Sequence, residues 1–427
     1  MKKPVLPCKR TWLGPRIHFT DLFCGAGGSS TGLEEAGYQL LLASNHDPVS
    51  LATHRANHPN AEHWVEDINA LDKRRLPRTP VLWASPICTE ISPAGGRKRS
   101  HGQVAFDLTG TGEGGVARQE TFERTRTTAL DILAATEVHR YLVIFCENVL
   151  EFATDWELFD WWLRGMEILG YNYQIVCASS AHLGSGSNAP APQLRDRVYV
   201  VFTRKDVPLP DLEVRPRALC PECGIVEARQ VWRNPDRRRI GKYGVQYDYR
   251  CPNRACGHLI IEPITRPVSD IIEWDVAGQR IGDGKPNRRK FTPYAASTRA
   301  RVATGLEKFA DDPRIALFQR SGVAGQDINH ALVVPNGRKA AVRTTAEPMT
   351  TIATRAHHTL VRPALEVDDC TLRMFTTGEL MRGQRFPEGY IVLGTDTEQK
   401  LQAGNAVSVN AARWLGERVM PSLLAFL

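Results

Sequence analysis

Apolar positions in the first two hundred residues gather in short runs. Ile17 to Leu22 is one, and it ends in a glycine-rich turn. Ser29 to Ala36 then has helical spacing, Leu40 to Ser44 is a second apolar run, and Asp47 to Asn57 a second helix. Val81 to Ala84 and Leu142 to Cys146 are further runs, with helical periodicity over Thr121 to Tyr141 between them. Tyr199 to Phe202 adds one more strand. Short apolar runs bounded by turns read as strands buried on both faces. Their alternation with helices predicts an α/β fold, a parallel sheet with helices on both faces. Ligands bind such sheets at the carboxyl ends of the strands.

The rhythm breaks after the fourth run. Arg97 to Gly115 is rich in Gly, Lys and Arg, and reads either as a mobile basic loop or as a surface insertion. From about residue 205 to 370 the chain is basic, rich in Pro and short of regular alternation, which predicts a smaller, irregular second domain. Leu372 to Arg385 and Ala403 to Leu427 read as helices. The expected division is 15–204, then 205–370, then a C-terminal segment 371–427 that returns to the first domain.

Length and charge refine this picture. A chain of 427 residues has room for two or three domains. No apolar run is long enough to span a bilayer, and Met1 to Pro7 lacks an apolar signal core, so no membrane partner and a cytoplasmic setting are expected. The net charge is +7, with arginines clustered from Arg233 to Arg239 and again at Arg288 and Arg289. Such clusters suit a polyanion, though a solvated surface has the same composition.

The candidate chemistry lies at the ends of the predicted strands. Asp21-Leu22-Phe23-Cys24-Gly25-Ala26-Gly27-Gly28 ends the first strand in glycines that let backbone amides approach a ligand. Ser85-Pro86-Ile87-Cys88 follows a buried strand and precedes the basic loop, which favours a reactive thiolate over an inert buried cysteine. Glu147, in Glu147-Asn148-Val149, ends another apolar run, where a carboxylate can act as an acid or serve as a cap or ion-pair partner. In Gln193-Leu194-Arg195-Asp196-Arg197 the two arginines stand two apart and so point the same way, to stabilise an anion or to pair with carboxylates. Gly404-Asn405-Ala406-Val407 comes last.

Four of the ten cysteines form a group, Cys220-Pro-Glu-Cys223 and Cys251-Pro-Asn-Arg-Ala-Cys256. Each pair has knuckle spacing with a glycine after its second cysteine, which predicts a four-thiolate structural zinc ribbon over about 218–260. A redox pair is the alternative. The residues between the pairs mix arginines with Trp232, Tyr243, Tyr247 and Tyr249, which suits either a DNA-contacting surface or a small packed core.

This ordered motif set resembles the cytosine-C5 DNA methyltransferases over nearly the whole chain. The resemblance implies a Rossmann-like methyltransferase sheet, S-adenosylmethionine as cofactor, and double-stranded DNA as partner, bound by a monomer. It implies that Asp21, Phe23, Cys24, Gly25, Ala26, Gly27 and Gly28 hold the cofactor, with Asn45, His46, Asp67, Ile68, Pro86, Asn405, Ala406 and Val407. By the same resemblance Cys88 is the nucleophile, Glu147 the acid, Arg195 the cation on the O2 side of the base with Arg197 beside it, and Arg373 a brace for target recognition. The ribbon is expected to read the site or grip the duplex. Three positions depart from the family's pattern: Ile87 and Thr89 flank the nucleophile, Asn45 stands where a ribose-binding glutamate is usual, and Ser408 replaces a proline. An RNA-directed methyltransferase and a non-catalytic DNA-binding protein are the rival readings.

Overall fold

The computed structural model describes residues 17–86, 128–286, 289–313, 331–335, 341–354 and 358–427. Its centre is a seven-stranded sheet in the order β3-β2-β1-β4-β5-β8-β6. The strands are β1 (His18–Leu22), β2 (Gln39–Asn45), β3 (Glu62–Val65), β4 (Val81–Ala84), β5 (Val143–Asn148), β6 (Tyr171–Ser179) and β8 (Asp196–Arg204). β7 (Gln193–Leu194) precedes β8 and pairs outside this sheet. Pairing is parallel from β3 through β5, and β8 is antiparallel to both its neighbours. The expected parallel sheet therefore forms with one reversed strand.

Helices cover both faces. α1 (Gly28–Glu35) follows β1, α2 (Pro48–Asn57) follows β2, and residues 128–139 form α3. The start of the predicted Thr121 to Tyr141 helix lies outside the described residues, as does the whole Arg97 to Gly115 segment. α4 (Leu150–Thr154) and α5 (Phe159–Ile168) follow β5. β4 and β5 are buried at every position, as strands covered on both faces must be. Each buried aliphatic or aromatic side chain there contributes roughly 1.5–3 kcal/mol.

The second region is more regular than its composition suggests. β13 (Gln279–Arg280), β14 (Leu332–Pro335), β15 (Arg343–Thr344), β17 (His358–Arg362) and β18 (Thr371–Met374) form a five-stranded antiparallel sheet. α6 (Ala296–Lys308) packs on it through Val302 and Leu306. β16 (Met349–Thr350) leaves this region to pair with β7.

Two helix expectations need correction. Leu372 to Arg385 begins as strand β18 and becomes α7 (Thr377–Gly383) only after Thr376. Thr376 and Glu379 form a capping box there, which starts a new helix instead of continuing an old one. Ala403 to Leu427 is likewise two elements, the end of α8 (Asp396–Asn405) and then α9 (Val409–Phe426). α9 docks on the first domain against α1, where a Cβ on Gly32 would lie 2.4 Å from the Val409 carbonyl oxygen.

The cysteine ribbon consists of β9 (Arg217–Cys220) paired with β10 (Gly224–Glu227), and β11 (Arg229–Trp232) paired with β12 (Tyr247–Arg250). Its interior, including Ala218, Tyr247 and Tyr249, joins the same buried cluster as Val176 and Ala178 of β6. The ribbon thus packs on the catalytic sheet, not on the five-stranded one.

Candidate active site and metal centre

The parallel strands deliver their carboxyl ends side by side. Asp21 to Gly28 follows β1, Asn45 closes β2, Asp67 and Ile68 follow β3, Pro86 follows β4 and Glu147 lies near the end of β5. His46 is exposed beyond Asn45, and Asp47 caps α2 by accepting from Val49 and Ser50 amides at 3.3 and 3.1 Å. Asn45 accepts the Asp47 amide at 2.9 Å through Oδ1, and its Nδ2 has no partner among the described residues. Ile68 is buried, and Asp67 closes a turn by accepting the Asn69 amide at 3.1 Å.

The glycine turn is shaped from both sides. Phe23 and Gly25 have φ of 62° and 52°, and a Cβ on Gly25 would meet nothing within 4 Å. That is an open cradle a ligand can fill. Gly28 differs: a Cβ there would lie 2.0 Å from the Val407 carbonyl oxygen. The late Asn405-Ala406-Val407 segment therefore closes on the start of α1, with Ala406 and Val407 buried and Asn405 exposed. Tyr390 adds a hydrogen bond from its hydroxyl to the Ala26 carbonyl at 2.6 Å. Beneath the turn Asp21 is fully buried and accepts from the Ser29 and Ser30 hydroxyls, both at 2.6 Å. Its Oδ1 has no partner among the described residues, and burial pushes its pKa up to about 6 against those hydroxyl bonds. An open glycine in the turn after β1, with the Asn45 amide at the end of the neighbouring strand, fits a polar nucleoside-type cofactor such as S-adenosylmethionine.

The arginines of the Gln193 to Arg197 motif divide their work. Arg197 Nε lies 3.1 Å from Glu147 Oε1, both side chains being largely buried. Arg195 is 2% exposed and donates to three backbone carbonyls, Ile352 at 3.0 Å, Gly404 at 3.0 Å and Ala406 at 2.9 Å. Of the two expected arginines, Arg197 is the one that faces Glu147, while Arg195 is turned to backbone. Arg195 falls between β7 and β8, so the strand alternation that would align the two side chains is interrupted. Arg195 instead ties the late motif to the sheet.

For three residues of these motifs the fold supplies contacts that the sequence does not show. Asn148 donates to the Pro86 carbonyl at 3.0 Å, fixing the segment that leads to Cys88. Gln193 is fully buried, accepts the Ile352 amide at 2.7 Å and donates to Gln384 at 3.1 Å. Ser408 donates to the same Gln384 oxygen at 2.6 Å and accepts from Ser180 at 2.9 Å. A proline at position 408 has no hydroxyl for this network, so the departure has a local reason. Arg373 holds Glu379 at 2.6 Å and the Glu273 carbonyl at 2.9 Å, tying β18 to the start of α7.

Cys88 lies outside the described residues. Burial raises the thiol pKa of Cys24, with Asp21 adding to it; burial likewise raises that of Cys146, and pushes Cys177 up to about 12 and Cys370 up to about 11. None of these four is suited to be a nucleophile.

The sulfur atoms of Cys220, Cys223, Cys251 and Cys256 all lie within 4.8 Å of one another. Four thiolates tetrahedrally about 2.3 Å from a zinc ion stand about 3.8 Å apart. Gly224 and Gly257, which follow the second cysteine of each pair, have φ of 74° and 64°, as knuckle turns require. His258 is turned away to the Cys251 carbonyl at 3.0 Å. The cluster fits a closed structural metal site. Tyr247 and Tyr249 are fully buried in the ribbon, so the DNA-surface reading of these two rings gives way to core packing.

Comparison with known proteins agrees with this arrangement. Residues 17–420 match the family model for the C-5 cytosine-specific DNA methylase. A type II methyltransferase, M.AgeI of Thalassovita gelatinovora, is 34% identical over 86 residues, or 18% of this chain and 20% of that protein. The DNA-cytosine methyltransferase of Escherichia coli K12 is 26% identical over 227 residues, covering 45% of this chain and 43% of that one. The matched segments thus span less than half of these relatives. Among solved structures, DNMT2 of Spodoptera frugiperda has a TM-score of 0.51 at 14% identity, covering 96% of this chain and 99% of that chain. A putative DNA modification methyltransferase from an Escherichia coli prophage has a TM-score of 0.50 at 14% identity, covering 96% and 99%. Both share the mixed α/β fold with its central, mostly parallel sheet. The chain belongs to the C-5 cytosine-specific DNA methylase family.

Proposed function

We propose that this protein transfers a methyl group from S-adenosylmethionine to C5 of cytosine in double-stranded DNA, acting as a monomer in the cytoplasm. The observation that carries the reading is the buried Glu147–Arg197 pair at 3.1 Å, beside the Pro86 segment that leads into Cys88. Cytosine C5 is too weak a nucleophile to take a methyl unaided. The Cys88 thiolate adds to C6, which makes C5 enamine-like, and Glu147 holds a proton at N3 so that charge does not build up on the ring. Arg197 orients Glu147 and bears on the O2 side. The cofactor supplies an electrophilic methyl. The C5 proton then leaves to a base and the Cys88–C6 bond breaks, restoring the aromatic ring. The target base is flipped out of the stack, which costs a few kcal/mol. Asp21, Phe23 to Gly28, Asn45, His46, Asp67, Ile68, Pro86 and Asn405 to Val407 surround the cofactor, and the four clustered cysteines hold a structural zinc ion.

The five-stranded sheet and α6 are the better candidates for target recognition, because the ribbon is spent on the edge of the catalytic sheet. The test is transfer of labelled methyl to mixed-sequence duplex DNA, wild type beside Cys88→Ala. Label at cytosine C5 that vanishes in the variant supports the reading. Label on transfer RNA alone, or none with the cofactor still bound, overturns it in favour of an RNA substrate or a binding role.

A further inference from the structure

Two buried histidines, His54 on α2 and His58 just after it, stand behind the glycine turn, and neither belongs to the motifs above. A Cβ on Gly27 would lie 2.7 Å from the Tyr390 hydroxyl, 3.0 Å from His54 Cδ2 and 3.1 Å from His58 Nε2. The two rings lie 4.6 Å apart, centroid to centroid. His58 is held by Glu34 at 2.8 Å through Nδ1 and by Thr31 at 3.2 Å through Nε2.

His54 sits in a hydrogen-bonded chain whose direction can be worked out. An ionised carboxylate only accepts, so the Ser30 hydroxyl donates to Asp21 at 2.6 Å. With its proton used, the Ser30 oxygen accepts from His54 Nε2 at 3.0 Å. That puts the His54 proton on Nε2 and leaves Nδ1 as an acceptor for His63 Nε2, 2.9 Å away. Every donor thus points inward, from the half-buried His63 on β3 to the fully buried Asp21 under the turn. A second proton on His54 would set N–H against N–H at His63. Burial already holds the His54 pKa well below 6.5, and the neighbouring His58 and His63 act the same way.

We infer that His54 is a positioning residue of the cofactor site: held in one tautomer by His63, it fixes Ser30 and through it Asp21, while its ring backs Gly27. The second strand's helix and the third strand thereby set the shape of the turn after the first. His54 touches no reacting atom. The inference rests on the methyltransferase reading above.

The test uses the one side chain that copies this pairing. A glutamine amide offers a donor and an acceptor, whereas phenylalanine fills the volume and offers neither. Calorimetric affinity for S-adenosylmethionine and chemical unfolding are measured for wild type, His54→Phe, His54→Gln, Ser30→Ala and the double variant of Ser30→Ala with His54→Phe. Imidazole nitrogen NMR spectra at neutral pH give the His54 tautomer, its signals being those lost in His54→Gln. Wild type is expected to show neutral His54 with its proton on Nε2. Affinity falls about tenfold in His54→Phe and in Ser30→Ala. It falls no further in the double variant, because both changes cut the same chain. His54→Gln recovers most of it. Ser30→Ala and His54→Gln keep the test decisive if His54→Phe does not fold. A proton on Nδ1 or an imidazolium overturns the inference. So do wild-type affinity in His54→Phe and Ser30→Ala, additive losses, or a loss that glutamine does not restore, which makes the ring mere filling. If wild type binds no S-adenosylmethionine, the methyltransferase reading itself falls and takes the inference with it, whatever the tautomer.

Discussion

Around β5 every residue is buried, and neighbouring strands cover it on both sides. In the ribbon, pressed against the same sheet, Leu219 is 61% and Ile225 58% exposed, although they face each other across β9 and β10. The first region is held by apolar burial along its whole length. The second has a small interior of two tyrosines, two alanines, Ile261 and four cysteines. On the proposed reading, a metal held by the four cysteines does for the ribbon what apolar burial does for the sheet, because so small a domain removes little surface from water.

The largest effect expected comes from the sheet side. Glu147→Gln keeps the shape of the side chain but removes the acid and the charge facing Arg197. Methyl transfer is expected to fall about 10²- to 10⁴-fold with cofactor affinity unchanged, read by single-turnover transfer beside calorimetric binding. A small loss would mean that the pair at 3.1 Å is structural only. On the ribbon side, Cys251→Ala or a strong chelator is expected to release the metal and lower stability by several kcal/mol. Zinc release and thermal melting measure this. Full stability without bound metal would remove the contrast between the two regions.

The same contrast governs what a reader of the chain can see. β1, β2, β4 and β5 were visible because strands buried on both faces are continuous apolar runs. The cysteine spacing announced the four-cysteine cluster for an equally local reason. β18 was not visible as a strand, since its four residues, Thr371–Met374, are too few to show alternation before the helix begins. Thr376 followed three residues later by Glu379 was the signal that separates strand from helix, and it is a capping box in the fold. The roles of Arg195 and Arg197 were not legible at all. Arg195 is held by carbonyls at Ile352, Gly404 and Ala406, each more than 150 positions away. The ribbon's seat on β6 is equally non-local, set by Gln230 and His182 rather than by any repeat in its own sequence.

Gly28→Ala tests how tightly the late motif closes on the first turn. The added methyl meets the Val407 carbonyl at 2.0 Å, and backbone cannot move aside as a side chain can. Overpacking of this kind costs about 1–3 kcal/mol, and cofactor affinity should weaken with it. Gly25→Ala meets no atom within 4 Å, so it is strained by its φ of 52° alone. Chemical unfolding of the two variants side by side measures the difference. Equal losses would mean that the contact between Val407 and Gly28 is looser than its geometry implies.

The smallest effect lies where the two regions touch. His182 is buried between Tyr243 and Tyr249, and burial lowers its pKa from 6.5 to about 3. Its folded pKa is below the unfolded value, so the stability it contributes is present above about pH 6.5 and is lost as pH falls toward 3. His54, also buried and shifted downward, acts in the same direction, while Asp21, raised to about 6, acts in the opposite one. Replacing His182 with Asn removes one of these protons. The acid slope of unfolding free energy should become shallower by up to about 1.4 kcal/mol per pH unit below pH 6. Denaturant titrations at pH 7, 6 and 5 give that slope for both proteins. If the slopes coincide, the imidazole takes up its proton without parting the ribbon from the sheet, and that seam is softer than the packing of the two rings implies.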